Sequence, residues 1–442
     1  QMVYRSRPIV KAEAAEALMV RTLGSGANGI GYYMYHGGST PKQNNGVGFF
    51  SDDGMGMPKI SYDYQAPIGE FGLVRDSYQN LRILHTFLKD FGSILAPMET
   101  VLPEGYEKIT PDNRETLRYA ARMKEDAGFI FMTNFQDHDT ARFDQTDLQL
   151  KLKLKKQTLI IPSSKTFTLK KDQSVILPFN LSMEGALLKY STTQLLAKVE
   201  EKNAVHYFFF APEGLRTEYS FDKSTLSSGK EFYTPKPGLK STFSITVKNG
   251  KTLKITTLTR QQALNTTKVN NHILITEATV LPEKEQCTLL SLGKTQISYA
   301  LYTANKGWKE ETIEVQPVDV KADWKKVGTR RMTVKIDQPD VPQVNDYFLR
   351  VNYVADVAMA FIGGYLVLDH YYYGIPWTIG LRRFKNELKN EYLSFYFRPL
   401  RKDAPFIGDL PVEAIPDFSQ KDADCLVRSV DVIPEYKAIV NI

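Results

Sequence analysis

Gly29-Ile30-Gly31-Tyr32-Tyr33-Met34-Tyr35 is aromatic and apolar almost throughout, and it stops at His36-Gly37-Gly38. A short run without a polar face predicts a strand buried on both sides, as in a parallel sheet. Upstream, Ala12 to Leu23 is rich in Ala, Glu, Leu and Met, with Leu18 and Met19 on an apolar face and Gly24 placed to cap its end, which predicts a helix. Downstream, a Gly- and Asp-rich loop runs from Ser39 to Lys59 and continues through Ser61 to Gly72. A loop of that length reads as functional rather than as a mere connection. Asp76 then stands where it would cap a second helix, on which Tyr78, Leu81, Leu84, Leu88 and Phe91 recur at spacings of three and four before Gly92. Helix, buried strand, long loop and helix make the alternation of a (β/α) barrel, in too small a piece to close.

Beyond Gly92 the pattern changes to short β-prone runs between turn residues: Gly128 to Phe135, Asp147 to Lys155, Ser174 to Phe179, Ala204 to Phe210, Ser241 to Val247 and Thr252 to Leu258. Tyr347 to Tyr353, Val357 to Leu368 and Tyr392 to Phe397 carry the same character onward, and such regular short strands indicate sandwiches. With 442 residues and a prior of roughly 100 to 200 per domain, several domains are expected. The divisions read as residues 1–92 for the end of a barrel, 93–225 for a β-sandwich, 226–295 for a β-rich segment and 296–442 for a jelly roll.

Composition excludes more than it assigns. A hydrophobic share of 42% with 24% charged residues is that of a globular protein, not a disordered one. The net charge of +6 is spread along the chain, so no nucleic-acid partner follows from it. The densest basic stretch, Lys151 to Lys156, alternates with Leu148, Leu150, Leu152 and Leu154, the period of a half-buried strand with a solvated face. No run reaches the roughly 20 apolar residues of a spanning helix. Cys287 and Cys425 stand far apart and outside any metal-ligand spacing, and they are either free thiols or a pair. The six histidines are scattered and none sits in metal-ligand spacing, so no metal site is expected.

Aromatic residues carry the functional signal. Tyr33 and Tyr35 occupy alternate positions of the expected strand and would share a face, and Tyr62 and Tyr64 would do likewise. Such rings suit a sugar pocket, because a ring face packs on the C–H face of a pyranose while the phenol reaches its hydroxyls. They suit an aromatic core equally well. His36 falls where a barrel strand would open onto the active face, although a lone histidine commonly just satisfies a neighbouring backbone group. Three acidic pairs, Asp63 with Glu70, Asp52 with Asp53 and Glu13 with Glu16, are explained by turns, helix capping or a solvated surface, and none reads as catalytic.

Gly31-Tyr32-Tyr33-Met34-Tyr35-His36-Gly37-Gly38-Ser39, then Ser61-Tyr62-Asp63-Tyr64-Gln65-Ala66-Pro67-Ile68-Gly69-Glu70-Phe71-Gly72, then Leu81-Arg82 resemble the last barrel strand and final loop of family 35 glycoside hydrolases. Further resemblance, mainly to bacterial members, lies at Leu117-Arg118-Tyr119, Gly128 to Phe131, Asn134, Phe209 to Gly214 and Phe348 to Phe384. The last of these includes Asp356, Asp369, Gly374, Pro376-Trp377 and Gly380-Leu381. The resemblance implies a retaining exo-β-galactosidase, without cofactor, acting on carbohydrate with terminal β-linked galactose. In such enzymes one glutamate protonates the leaving oxygen and a second attacks the anomeric carbon. It places both glutamates upstream of Gln1, so that no residue of this chain is catalytic and the chain alone is expected to be inactive. It carries the galactose-contacting role to Tyr33 and Tyr64, with Tyr35, His36 and Tyr62 at the pocket rim. It also implies a periplasmic or extracellular site of action. The pattern departs at Ser39, at Thr40-Pro41 and at Gln65, where the family has Thr, Asn and Asp. Trp377 reads as a packing residue of a galactose-binding-like jelly roll rather than as a sugar platform. The competing reading is a non-catalytic carbohydrate-binding or scaffolding protein whose sandwiches do the work.

Overall fold

A computed structural model describes residues 6–43, 58–155 and 157–442. The chain is a mainly β, multi-sheet protein with two long helices near its start. These are α1, Ala12–Gly24, and α2, Asp76–Leu95. A seven-stranded antiparallel sheet runs from Phe232–Tyr233 at one edge, through Ser174–Met183 and Ala127–Thr133, to Glu99–Val101 at the other. A five-stranded sheet contains the parallel pair Ala204–Ala211 and Thr252–Thr259.

The helices are fused to these two sheets. Met19, Val20 and Leu23 of α1, Leu84, Phe87 and Phe91 of α2, and Phe129, Phe131, Phe209 and Tyr219 of the strands form one apolar cluster. At roughly 1.5 to 3 kcal/mol for each large side chain fully buried, this shared core fixes the helices as a layer on the sheets. Arg122, buried in the strand Arg118–Lys124, completes the join. Its guanidinium donates to the carbonyls of Leu23 at 3.4 Å in the last turn of α1 and Ala27 at 3.2 Å beyond it, and to those of Ala96 at 3.2 Å and Met98 at 3.0 Å past α2. Carbonyls at helix C-termini lack intrahelical donors, and a cation there also opposes the negative end of the dipole.

Several local expectations are corrected. Leu18 is 64% exposed, because α1 buries Glu16, Ala17, Met19, Val20 and Leu23 instead. Gly24 is the last helical residue, and the left-handed turn falls on Gly26 at φ 101°. The need for glycine at position 24 is steric: an added Cβ would lie 2.8 Å from Phe131 Cβ. Gly92 does not end α2, which continues to Leu95, and Asp76 is the first helical residue, with Arg75 at the cap. The run Val357 to Leu368 folds back as two strands, Val357–Ile362 and Tyr365–Tyr371, because Gly363 and Gly364 turn at φ 55° and 83°.

The largest correction concerns the opening stretch. Residues 29–35 form no strand, and among the described residues the segment touches a ladder only at an isolated parallel bridge between His36 and Ile68. Apolar character supplies a reason to be buried but does not supply hydrogen-bonding neighbours, and a strand exists only where both are present.

In the C-terminal half two five-stranded sheets face each other. One has the order Thr279–Pro282, Gln286–Leu292, Leu426–Asn441, Val344–Val354, Trp377–Gly380, and the other Ala322–Gly328, Arg331–Ile336, Leu393–Arg398, Val357–Ile362, Tyr365–Tyr371. Leu349, Val351, Ala358, Ala360, Phe395 and Trp377 fill the space between them. Trp377 is therefore a packing residue, lying parallel to the His370 ring at 5.2 Å and edge-on to Phe395. Cys287 and Cys425 are both free. Leu150 is buried while Lys151 and Lys153 are exposed, so the basic stretch is the solvated face of a strand over its described residues. Among the described residues no helix is long and apolar enough to cross a membrane.

Candidate functional site

The segments singled out by their tyrosines do meet. Gly38–Ser39 pairs antiparallel with Ser61–Tyr62, placing Gly38 opposite Tyr62 and Ser39 opposite Ser61. Thr40 extends the contact by donating its N–H to the Ile60 carbonyl at 2.7 Å, and Gly37 donates to Ile68 at 2.7 Å. Across this small ribbon the hydroxyls of Tyr33 and Tyr62 are hydrogen-bonded, and the Tyr62 ring stands edge-on to Tyr64 at 4.8 Å. Tyr33 is 77% exposed, so its ring offers a free face beside this pair. Tyr64 packs against the C-terminal core, and burial raises its phenol pKa above the ordinary value. The backbone at Tyr64 and Gln65 is left-handed, at φ 45° and 58°, a conformation uncommon outside glycine and retained where surroundings over-determine it.

Tyr35 is not part of this group. Its ring lies toward α2, 5.5 Å from His85 and 6.1 Å from Tyr78, and burial pushes its phenol up to about 12. The alternation that would have put Tyr33 and Tyr35 on one face requires strand geometry, which this segment lacks. The ring of His36 contacts the Gly37 carbonyl through Nδ1, as a structural histidine would.

Acidic residues around the ribbon are largely committed. Asp63 Oδ1 accepts from Arg75 Nη2 at 2.6 Å and from Gln65 N at 3.1 Å, while Oδ2 accepts from Glu70 N at 2.7 Å. That is turn chemistry, as expected of an aspartate in such a loop. Glu70 is different. Its side chain is buried, it accepts from the Ser39 hydroxyl, and Arg383 Nη1 lies 3.7 Å away. Arg383 in turn donates to Ser39 Oγ at 2.6 Å and lies over the Phe71 ring at 4.6 Å. Burial drives the Glu70 carboxyl up to about 7, against the opposing pull of the Ser39 and Ser61 hydroxyls and Arg383. Glu16 is buried and paired with Arg260 at 2.6 Å, which corrects its reading as a solvated partner of Glu13. Asp52 and Asp53 lie outside the described residues.

Between the 58–75 loop and the C-terminal sandwich lies a cavity of about 240 Å3, lined by Tyr64, Glu70, Arg75, His370, Tyr373 and Trp377, among others. Burial holds the His370 imidazole down to about 3, so it stays neutral, its Nδ1 2.7 Å from the Tyr353 hydroxyl. Sequence reasoning missed Glu70, Arg383 and His370 as members of this region. Glu70 lay within the loop motif, where it looked like a turn residue, while His370 and Arg383 lay within the Phe348 to Phe384 stretch without being singled out. Among the described residues no group of three His, Cys, Asp or Glu side chains is arranged to hold a metal ion.

The chain is similar to known proteins over segments that include these motifs. Residues 3–88 match the family model described as glycosyl hydrolases family 35, and residues 104–279 match that of beta-galactosidase, domain 2. Beta-galactosidase 6 from Oryza sativa subsp. japonica is similar over 144 residues at 27% identity, which spans 32% of this chain and 15% of the rice protein. Among solved structures, the GH31 alpha-xylosidase from Xanthomonas citri aligns over 77% of this chain and 37% of that one at 10% identity, with a TM-score of 0.12, too low to bear on the fold.

Proposed function

The chain belongs to glycosyl hydrolase family 35, and from that premise we propose that it carries galactose-facing tyrosines of a retaining exo-β-galactosidase. The observation that carries this reading is the Tyr33–Tyr62 hydroxyl pair with Tyr64 edge-on beside it, assembled from two sequence-distant motifs inside the matched segment. Exposed phenols next to ring faces suit a pyranose, with Tyr33 and Tyr64 contacting the sugar and Tyr62 on the rim. Tyr35 and His36 are left with structural roles.

In this reading α1, the extended 29–35 segment, the long loop and α2 are the end of a (β/α) barrel, and the facing sheets of the C-terminal half are a galactose-binding-like jelly roll. The division near residue 92 marks the end of the barrel piece in sequence, whereas strand pairing crosses residues 225 and 295, joining Ala204–Ala211 to Thr252–Thr259 and Gln286–Leu292 to Leu426–Asn441. This reading gives the roles of nucleophile and acid to none of Asp63, Glu70 and Glu16, and it is supported by the arginines that hold Asp63 and Glu16 and by the Ser39 hydroxyl on Glu70. We place the catalytic glutamates outside this sequence, and the whole enzyme in the periplasm or cell exterior, where polysaccharide is met.

The test is hydrolysis of a chromogenic β-galactoside by the 442-residue chain and by a chain extended upstream. Turnover only by the extended chain, weakened by Tyr33→Phe and Tyr64→Phe, is the expected result. Turnover by the 442-residue chain would put the catalytic pair within it.

A further inference from the structure

The loop that bears Tyr62 and Tyr64 is held from the other end of the molecule. Asp369, on the strand Tyr365–Tyr371, is 0% exposed, yet its carboxylate is directed out of its own sandwich. It accepts the N–H of Lys59, that of Ile60 at 3.1 Å to each oxygen, and that of Ser61 at 2.8 Å. Three consecutive backbone amides converging on one carboxylate form an anion-binding concavity, with a side chain of the protein as the anion. The residue after the last of these amides is Tyr62, whose hydroxyl meets Tyr33, and two further on stands Tyr64, which packs on the same C-terminal core.

A buried carboxylate in this position is costly, because desolvation penalises its charge, and the amides it receives together with the nearby Lys59 charge offset only part of that. An apolar residue would seal the same contact between sandwich and loop. A carboxylate does something an apolar residue cannot, which is to fix the direction of three peptide planes at once. The orientation of those planes sets where the next side chains point.

We propose that Asp369 is a positioning residue for the tyrosine site: from the C-terminal sandwich it fixes the Lys59–Ser61 backbone and thereby the placement of Tyr62 and Tyr64. The proposal rests on the galactose reading of that site for its consequence, but not for its geometry. It makes the C-terminal sandwich a working wall of the sugar pocket rather than an appended module.

The experiment pairs two variants with two readouts. Asp369→Ala removes all the acceptors, and Asp369→Asn keeps one carbonyl oxygen in nearly the same volume, so that a folded variant is in hand if the first fails to fold. Amide hydrogen exchange of the 442-residue chain should quicken by about tenfold or more at Lys59 to Ser61, the scale of one lost hydrogen bond, with Val344–Val354 unchanged. In the form that turns over the chromogenic β-galactoside, KM should rise by about tenfold for Asn, with kcat less affected. Unchanged exchange at Lys59 to Ser61 would overturn the clamp. Faster exchange with unchanged KM would reduce Asp369 to structural glue and overturn its role in positioning. Faster exchange in the variants, with a wild-type protein that handles no β-galactoside in any form, would instead remove the galactose reading and leave the clamp.

Discussion

Arg7 meets Asp356 at 2.5 Å across 349 positions of sequence, with the arginine side chain wholly inaccessible and the aspartate nearly so. The guanidinium also donates to the carbonyls of Asp356 at 2.7 Å and Tyr372 at 3.0 Å, and it lies over the rings of Tyr371 and Phe406 at 4.4 and 3.4 Å. The segment leading into α1 is thus plugged into the C-terminal sandwich by a buried cation.

Arg7→Met should destabilise the protein by roughly 2 to 4 kcal/mol, toward the low side of a broken buried pair because Arg398 also approaches Asp356 at 3.3 Å. Adding Asp356→Leu to that variant should recover part of the loss, since no buried charge is then left unpaired. Denaturant titration of the two single variants and the double variant reads the coupling directly.

Glu70 gives a pH signature. Its carboxyl titrates near 7 in the folded protein, against an ordinary value near 4.5, so between those values the folded state holds the proton more tightly than the unfolded state. The resulting stability is fully present below about pH 4.5 and declines as pH rises through about 7, by on the order of 3 kcal/mol. Glu70→Gln should flatten this decline. Unfolding free energies at pH 5 and pH 8 that fall equally in both proteins would rule out Glu70 as its source.

Arg122→Met should cost roughly 2 to 4 kcal/mol, since buried carbonyls at two helix ends lose a charged donor together. Arg122→Lys should restore little, because an ammonium cannot span the same set of acceptors. Thermal melts of both variants, read together, separate lost geometry from lost charge.

The shared core makes α2 as durable as the sheets it lies on. Limited proteolysis under native conditions should leave Asp76–Leu95 intact as long as Ala127–Thr133 and Ser174–Met183 survive. Phe87→Ala, at a site with 0% exposure, should cost roughly 3 to 5 kcal/mol and loosen helix and sheets together. Early loss of the helices alone would show that they belong to a separate folding unit, the outcome that the alternating pattern of residues 1–92 by itself suggested.

Periodicity made the strands and both helices readable, because alternation and three-four spacing report which face meets a core. Ser174–Met183 extends its expected span by four residues and Thr252–Thr259 by one, and α2 runs four residues beyond Phe91. The same signal failed at residues 29–35, where apolar residues sit without ladder partners, and so it also misjudged Tyr35. The tyrosine site was half legible: its motifs stood in the sequence, but the left-handed turn at Tyr64 and the clamp from Asp369, 308 residues beyond Ser61, are tertiary facts. Glu70 was hidden for a related reason, since its proton affinity comes from tertiary burial that prevails over the pull of Arg383 and two serine hydroxyls, and no local pattern encodes that.

The strand Leu426–Asn441 lies between Gln286–Leu292 and Val344–Val354 in one sheet and is the partner of both. During vectorial synthesis Gln286–Leu292 therefore emerges long before its inner neighbour exists. At roughly 5 to 20 residues per second, the intervening stretch of roughly 130 residues takes on the order of ten seconds to translate. For that interval Cys287 and Leu289, which are buried in the finished sheet, wait on an open strand edge. The nascent chain is thus most open to mispairing, thiol oxidation and chaperone capture in that window, and a slower ribosome would lengthen the exposure without changing a single contact of the native state.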